Sequence, residues 1–229
     1  MKKYLASFKT LTRFETGLWL TSIAVTLLSY LLSGSGDALN LIASLIGVTA
    51  LIFVAKGHVL GQLLTILFSV FYGIISFYFT YYGEMITYLF MTAPMAIVAA
   101  MEWIKHPYQD TEEVKVHHVT KKQLLVMWTL AALVTILFYF ILKALGNANL
   151  FFSTLSITTS FVASYLTYLR SPYYAIGYSA NDIVLIVLWS LASLENISYL
   201  PMVACFVMFL FNDLYGFYNW KRMQHRQQQ

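Results

Sequence analysis

Two Asn-Asp pairs, Asn181-Asp182 and Asn212-Asp213, lie inside YSANDIVLIVLWSLAS and CFVMFLFNDLYGFYNW, runs otherwise apolar enough to enter a lipid bilayer. A carboxyl group in hydrocarbon is expensive, and ionisable groups inside spans usually mark a polar pathway. Asn brings donors and an acceptor suited to an amide or a sugar hydroxyl, while Asp accepts from hydroxyls. Trp189 and Tyr215 offer flat surfaces to a planar ring, with added attraction if that ring is cationic. The chemistry such a set can perform is recognition of a small, polar, aromatic solute.

A second polar row stands earlier in the chain. In GQLLTILFSVFYGIIS, the residues Gln62, Thr65, Ser69, Tyr72 and Ser76 recur at alternating spacings of 3 and 4 and so share one helix face. Moving 117 residues on gives Ser179, Asp182, Ile186, Trp189 and Ser193, again one face. Cys205, Met208, Asn212, Tyr215 and Asn219 form a third. A cavity shared by these rows would solvate Asp182 and offset its burial. The competing structural roles are specific: Ser and Thr can bond back to their own helix, and Asp182 and Asp213 can pair across helices to hold the protein together. Trp103 and Trp220, beside basic residues, are expected to be interfacial anchors.

Other chemistries are missing from the sequence. The five histidines, His58, His106, His117, His118 and His225, fall in loops or at segment ends. No phosphate-binding glycine loop, zinc-ligand spacing or nucleophile elbow is present, and no nucleophile stands with a base. The expectation is a protein that is not an enzyme and that uses no cofactor and no metal.

These residues need membrane-spanning helices to position them. Hydrophobic residues make up 59% of the 229, charged residues 10%, and the mean hydropathy is +0.69, far from the quarter charged of a soluble domain. The Lys2, Lys3, Lys9, Arg13 cluster precedes an apolar run, but SGSGDALN is a poor cleavage site, so the run is read as a retained span. The single cysteine, Cys205, excludes an intramolecular disulfide. Spans of about 20 residues are expected at 16–34, 38–56, 58–81, 84–104, 122–144, 149–169, 172–195 and 198–220. TYYGEM divides the third from the fourth, and Pro107 ends the fourth before the mixed-charge loop KHPYQDTEEVKVHHVTKK. With both termini in the cytoplasm, Lys56, Lys105, Lys121, Lys122, Arg170, Lys221 and Arg222 all fall on the inside, and Asp37, Glu84 and Glu195 outside, with Lys143 the exception.

The offset of 117 also pairs Trp103 with Trp220, Tyr82 with Tyr199, Met85 with Met202, Met91 with Met208 and Tyr72 with Trp189. Spans two to four then repeat as six to eight, the fifth restores a parallel orientation, and the first stands outside. Parallel repeats with a site between them are one transporter plan. The organisation expected is an extra N-terminal span in 1–37, a three-helix bundle in 38–104, a loop and linker span in 105–148, a second three-helix bundle in 149–222 and a tail in 223–229.

The runs GQLLTILFSVFYGIISFYF, TYLFMTAPMAIVAAMEWIKHP, NDIVLIVLWSLAS and YLPMVACFVMFLFNDLYGFYNW, in this order, resemble the PnuC family of bacterial vitamin B3 transporters, from about residue 17 to 222. The resemblance implies an all-α membrane protein similar to the SWEET sugar transporters, two three-helix bundles joined by a linker helix, able to assemble as a trimer. It implies facilitated diffusion of nicotinamide riboside across the bacterial inner membrane and trapping by cytoplasmic phosphorylation, while the basic residues at segment ends are explained by orientation and not by a nucleic-acid partner. Sister members carry riboflavin or thiamine. On this reading the pyridinium stacks on Trp189 against Tyr72 or Tyr215, Asn181 and Asn212 hold the carboxamide or ribose, and Gln62 and Thr65 line the first repeat. Asp182 and Asp213 complete the set, and either could carry a proton in a symporter. A scaffold or receptor without transport is the alternative of another class.

Overall fold

The computed structural model describes residues 7–33, 38–78, 82–147, 149–195 and 197–229. Lys2, Lys3 and Asp37 of the charge pattern, and Thr80 and Tyr81 of TYYGEM, lie outside the described residues. The main helices are α1 (Arg13–Ser33), α2 (Ala38–Ala55), α3 (Val59–Tyr78), α4 (Tyr82–Lys105), α5 (Lys121–Ala144), α6 (Leu150–Tyr168), α7 (Tyr174–Glu195) and α8 (Leu200–Arg226). Among the described residues seven are long and apolar enough to cross a bilayer, while the apolar part of α2 is the shorter Leu41–Ala55. Leu28, Leu32, Phe90, Trp128, Phe140 and Phe151 point outward and exposed. An apolar surface of this extent needs hydrocarbon around it, since soluble monomers expose patches of only a few hundred Å².

Local sequence explains where the helices start and bend. Helix α1 opens with a reciprocal cap: Glu15 N–H donates to Thr12 Oγ1 at 3.2 Å, and Thr12 N–H donates to Glu15 Oε2 at 2.6 Å. Helix α5 opens the same way, with Gln123 N–H donating to Thr120 Oγ1 at 3.3 Å and Thr120 N–H to Gln123 Oε1 at 2.9 Å. Helix α4 widens into a π turn over Tyr88–Thr92. Pro94 follows at once, and because it has no N–H to offer the carbonyl four residues back, the ladder there cannot be regular.

The helices pack as two triplets. Helix α3 packs against α2 and α4, and α7 against α6 and α8. The triplets meet at two seams, α4 on α6 and α2 on α8. Helix α1 lies across the second seam, touching both α2 and α8. Helix α5 lies on α6 and reaches α4 through Ala131 and Leu142, which cluster with Met91, Ile157 and Phe161. Helices α1 and α5 thus share a capping box and a place over a seam, although α1 carries no residue of the 117 repeat. Close helix approach depends on Gly61, where a Cβ would fall 2.4 Å from the Val54 backbone nitrogen, and on Gly177, where it would fall 2.9 Å from Ala163 Cα.

At the loop end the two triplets terminate alike. Gly57 after α2 and Arg170 after α6 both take a left-handed conformation, φ 69° and 55°. In each case the next residue closes the helix, His58 N–H on Phe53 O and Ser171 N–H on Leu166 O, both at 3.0 Å. The segment after Pro107 crosses between them: Val114 N–H donates to Gly57 O at 2.9 Å and His117 N–H to Arg170 O at 3.1 Å.

Candidate functional site

A small cavity of about 60 Å³ lies where α2, α3, α4, α6, α7 and α8 converge. Its polar lining comes from Gln62 and Thr65 on α3, Thr92 on α4, Ser160 on α6 and Asn181, Asp182 and Asp213 on α7 and α8. Its aromatic lining is Phe68, Tyr88, Tyr178, Phe206 and Phe209. On the α2 side Gly47 and Ala50 leave the room: a Cβ on Gly47 would meet the Phe209 ring at 2.6 Å.

Asp182 and Asp213 are both buried at 3% exposure and interact directly across α7 and α8. The residues lining the cavity include two carboxyl groups and no Lys, Arg or His. Two carboxylates this close repel one another in a low-dielectric surrounding, and a cation or a shared proton relieves that repulsion. Asn181 is fixed by α6: its Oδ1 accepts from Thr159 Oγ1 at 2.9 Å and Ser156 Oγ at 3.2 Å. That leaves the amide nitrogen as its group for the cavity. Thr65 bonds back to Gly61 O at 2.9 Å, as Ser and Thr do in spans.

Toward the Tyr82 end of α4 the cavity is closed by a cluster of rings packed in tilted and edge-to-face pairs. Tyr72 and Tyr88 have centroids 4.4 Å apart, Phe68 stands 5.5 Å from Tyr72 and 5.9 Å from Tyr88, and Phe68 and Phe209 are separated by 5.8 Å. Trp189 belongs to the same core, and its indole faces the Tyr72 hydroxyl. Trp189 and Tyr72 therefore lie one layer beyond the cavity wall, adjoining it through Phe68 and Tyr88.

Five of the nine residues expected from sequence line the cavity: Gln62, Thr65, Asn181, Asp182 and Asp213. Asn212 and Tyr215 turn elsewhere. Asn212 Nδ2 donates to Ser22 Oγ on α1 at 3.0 Å and to Met208 O at 2.8 Å. Tyr215 donates its hydroxyl to Glu15 Oε1, also on α1, at 2.8 Å. On α8 these two side chains face the first helix, a neighbour that periodicity alone does not identify. The polar rows read from spacing do not include Tyr88 and Tyr178, although carrying the 117 offset back from Cys205 falls on Tyr88. Trp103 and Trp220, expected at the interface, are fully buried against each other.

Comparison with known proteins gives this arrangement a family. A family model described as nicotinamide mononucleotide transporter matches residues 37–222. The nicotinamide riboside transporter PnuC of Neisseria mucosa is 30% identical over 190 residues, covering 81% of this chain and 72% of its own. The chain belongs to the PnuC family. A PnuC from Haemophilus influenzae, also a nicotinamide riboside transporter, is 24% identical over 191 residues, 82% of this chain and 81% of that one. The crystal structure of the vitamin B3 transporter PnuC superposes with a TM-score of 0.82 at 27% identity, covering 95% of this chain and 94% of that one. This PnuC-family chain is accordingly an all-helical, multi-pass membrane protein with a small cavity between its two triplets, aromatic-lined and carrying a few polar side chains.

Proposed function

We propose that this chain carries nicotinamide riboside across the bacterial inner membrane by facilitated diffusion. Cytoplasmic phosphorylation then retains the imported solute. The observation that carries the reading is the buried Asp182–Asp213 pair on an aromatic-lined cavity that holds no basic side chain. Nicotinamide riboside brings a pyridinium cation, a carboxamide and a ribose. The carboxyls complement the cation, the rings supply π-faces, and Asn181 and Gln62 supply amide partners. A mononucleotide would bring a phosphate into a cavity with two carboxyls and no cation to meet it, so the riboside is the better fit.

The cavity is far smaller than the roughly 300–1,000 Å³ of small-molecule sites, so the solute requires the triplets to part. We infer alternating access, with α2–α4 and α6–α8 rocking about the seams and Trp189 and Tyr72 joining the site as the aromatic layer opens. Both termini lie in the cytoplasm on this reading, where the basic residues at the loop end satisfy the positive-inside rule. The chain assembles as a homo-oligomer, a trimer by family resemblance.

The test is time-resolved uptake of labelled nicotinamide riboside into proteoliposomes with no ion gradient, with thiamine and riboflavin as competitors. Saturable flux to equilibrium, competed by neither vitamin, is the expected result. The carboxyl pair also favours a second reading, proton symport through Asp182 or Asp213. Accumulation above equilibrium when only a pH gradient is imposed would select it.

A further inference from the structure

Besides Glu15, which is paired with Lys56, one more buried acid among the described residues stands outside the cavity, in the first turn of α4. Glu84 is 8% exposed, and among the described residues it forms no salt bridge and its Oε2 has no hydrogen-bond partner. Glu84 and Tyr88 are four residues apart, so they share a helix face, and the carboxyl lies within electrostatic range of the Tyr72 and Tyr88 hydroxyls. An uncompensated carboxylate buried beside two rings is costly for a structure to keep. It becomes useful if a cation passes, because a full negative charge and π-faces together attract one strongly.

The position suits passage. Tyr88 lines the cavity on one side and neighbours Glu84 on the other, while the ring layer of Phe68, Tyr72 and Tyr88 separates the cavity from the Tyr82 end. A path from that end to Asp182 and Asp213 therefore meets Glu84 first. Moderate binding at successive sites favours throughput over a single deep well.

We infer that Glu84, with Tyr72 and Tyr88, forms an outer station for a pyridinium cation between the Tyr82 end of the bundle and the Asp182–Asp213 cavity. The inference rests on the proposed transport of a cationic riboside and deepens it by making charge the quantity selected at entry.

The test compares nicotinamide riboside with its neutral, reduced dihydropyridine riboside, as initial uptake rates in proteoliposomes of the full chain. Wild type is expected to have the lower KM for the cation. In Glu84→Gln the KM for the cation should rise roughly tenfold, while that for the neutral riboside stays within about twofold. Glu84→Asp keeps the charge but withdraws it from the rings, so its ratio of the two KM values should fall between wild type and Gln. Should Gln not reconstitute, the Asp ratio decides. A ratio unchanged from wild type in the variants, or an equal rise for both ribosides, overturns the station. Wild-type liposomes that carry neither riboside overturn the transport reading, and the station with it, before any variant is measured.

Discussion

Trp103 and Trp220 cross at 51° with ring centroids 5.3 Å apart, and each donates its indole N–H to a carbonyl of the opposite triplet. Trp103 on α4 bonds Thr167 O at the end of α6, and Trp220 on α8 bonds Val54 O at the end of α2, both at 2.9 Å. The two accepting carbonyls each lie three residues before a left-handed residue, Gly57 or Arg170. The loop end is thus a reciprocal joint in which each half of the repeat caps the other. It holds the triplets together at one end, while the ring layer around Tyr72 closes the other.

The joint predicts a reciprocal coupling. Trp220→Phe and Trp103→Phe each keep most of the ring and lose one buried hydrogen bond, costing about 1 kcal/mol, since Val54 O and Thr167 O still accept from the Gly57 and Arg170 amides. Thermal unfolding in detergent should show both losses, and the double variant should lose less than their sum because the rings touch. Strict additivity would mean that the two indoles act independently.

Trp189 supplies a ring to the layer that opens onto the cavity. Trp189→Ala should abolish most riboside uptake, through the lost π-face and a cavity worth about 3–5 kcal/mol, whereas Trp189→Phe should retain more. Uptake assays on both, normalised to reconstituted protein, check the order. Normal uptake by the alanine variant would remove Trp189 from the site.

His58 makes stability depend on pH at the loop end. It lies outside the helices, 4% exposed, and burial together with the neighbouring Lys56 ammonium pushes its imidazole down to about 4, against the opposing pull of Glu112 and Glu15. A folded-state value below the unfolded one means that the unfolded chain binds the proton more readily. The stabilisation is complete above about pH 6.5 and is lost as pH falls toward 4. Between pH 8 and pH 5 the loss should be about 2 kcal/mol. Melting temperatures of wild type and His58→Gln across that range should converge as pH falls, and parallel curves would contradict the assignment.

Periodicity made the rods and one face of each legible, because apolar length sets spans and spacings of 3 and 4 set a face. The row from Gln62 to Ser76 and the pair Asn181-Asp182 therefore point inward as expected. What periodicity does not carry is which neighbour a face meets. Asn212 and Tyr215 share a face with Cys205, yet α1 occupies the space before them and takes their hydrogen bonds. Trp103 and Trp220 look like interfacial anchors because basic residues stand beside them, and only the packing reveals that each is buried under the other triplet. The π turn over Tyr88–Thr92 interrupts α4 in its middle, and Tyr88 belongs to none of the polar rows that spacing picks out.

The role of α1 follows from Glu15, which ties three segments at one point. Its carboxylate accepts from Tyr215 of α8 at 2.8 Å, from Lys56 after α2 at 3.0 Å and from the Thr12 amide at 2.6 Å. Higher on α1, Trp19 Nε1 donates to Thr49 Oγ1 of α2 at 3.1 Å and Ser22 accepts from Asn212 of α8. Helix α1 is therefore fastened to both triplets across a single seam. Glu15→Ala would leave Lys56 without its counterion and free α1 at its base, for a loss of about 3 kcal/mol, as when one partner of a buried pair is removed. Tyr215→Phe removes only one bond to that carboxylate and should cost about 1 to 2 kcal/mol. Because Tyr215 faces α1 and not the cavity, its variant should keep the wild-type KM for riboside while Asn181→Leu raises it. Uptake kinetics on the two variants distinguish the faces of the bundle, and a raised KM in Tyr215→Phe would bring Tyr215 back into the site.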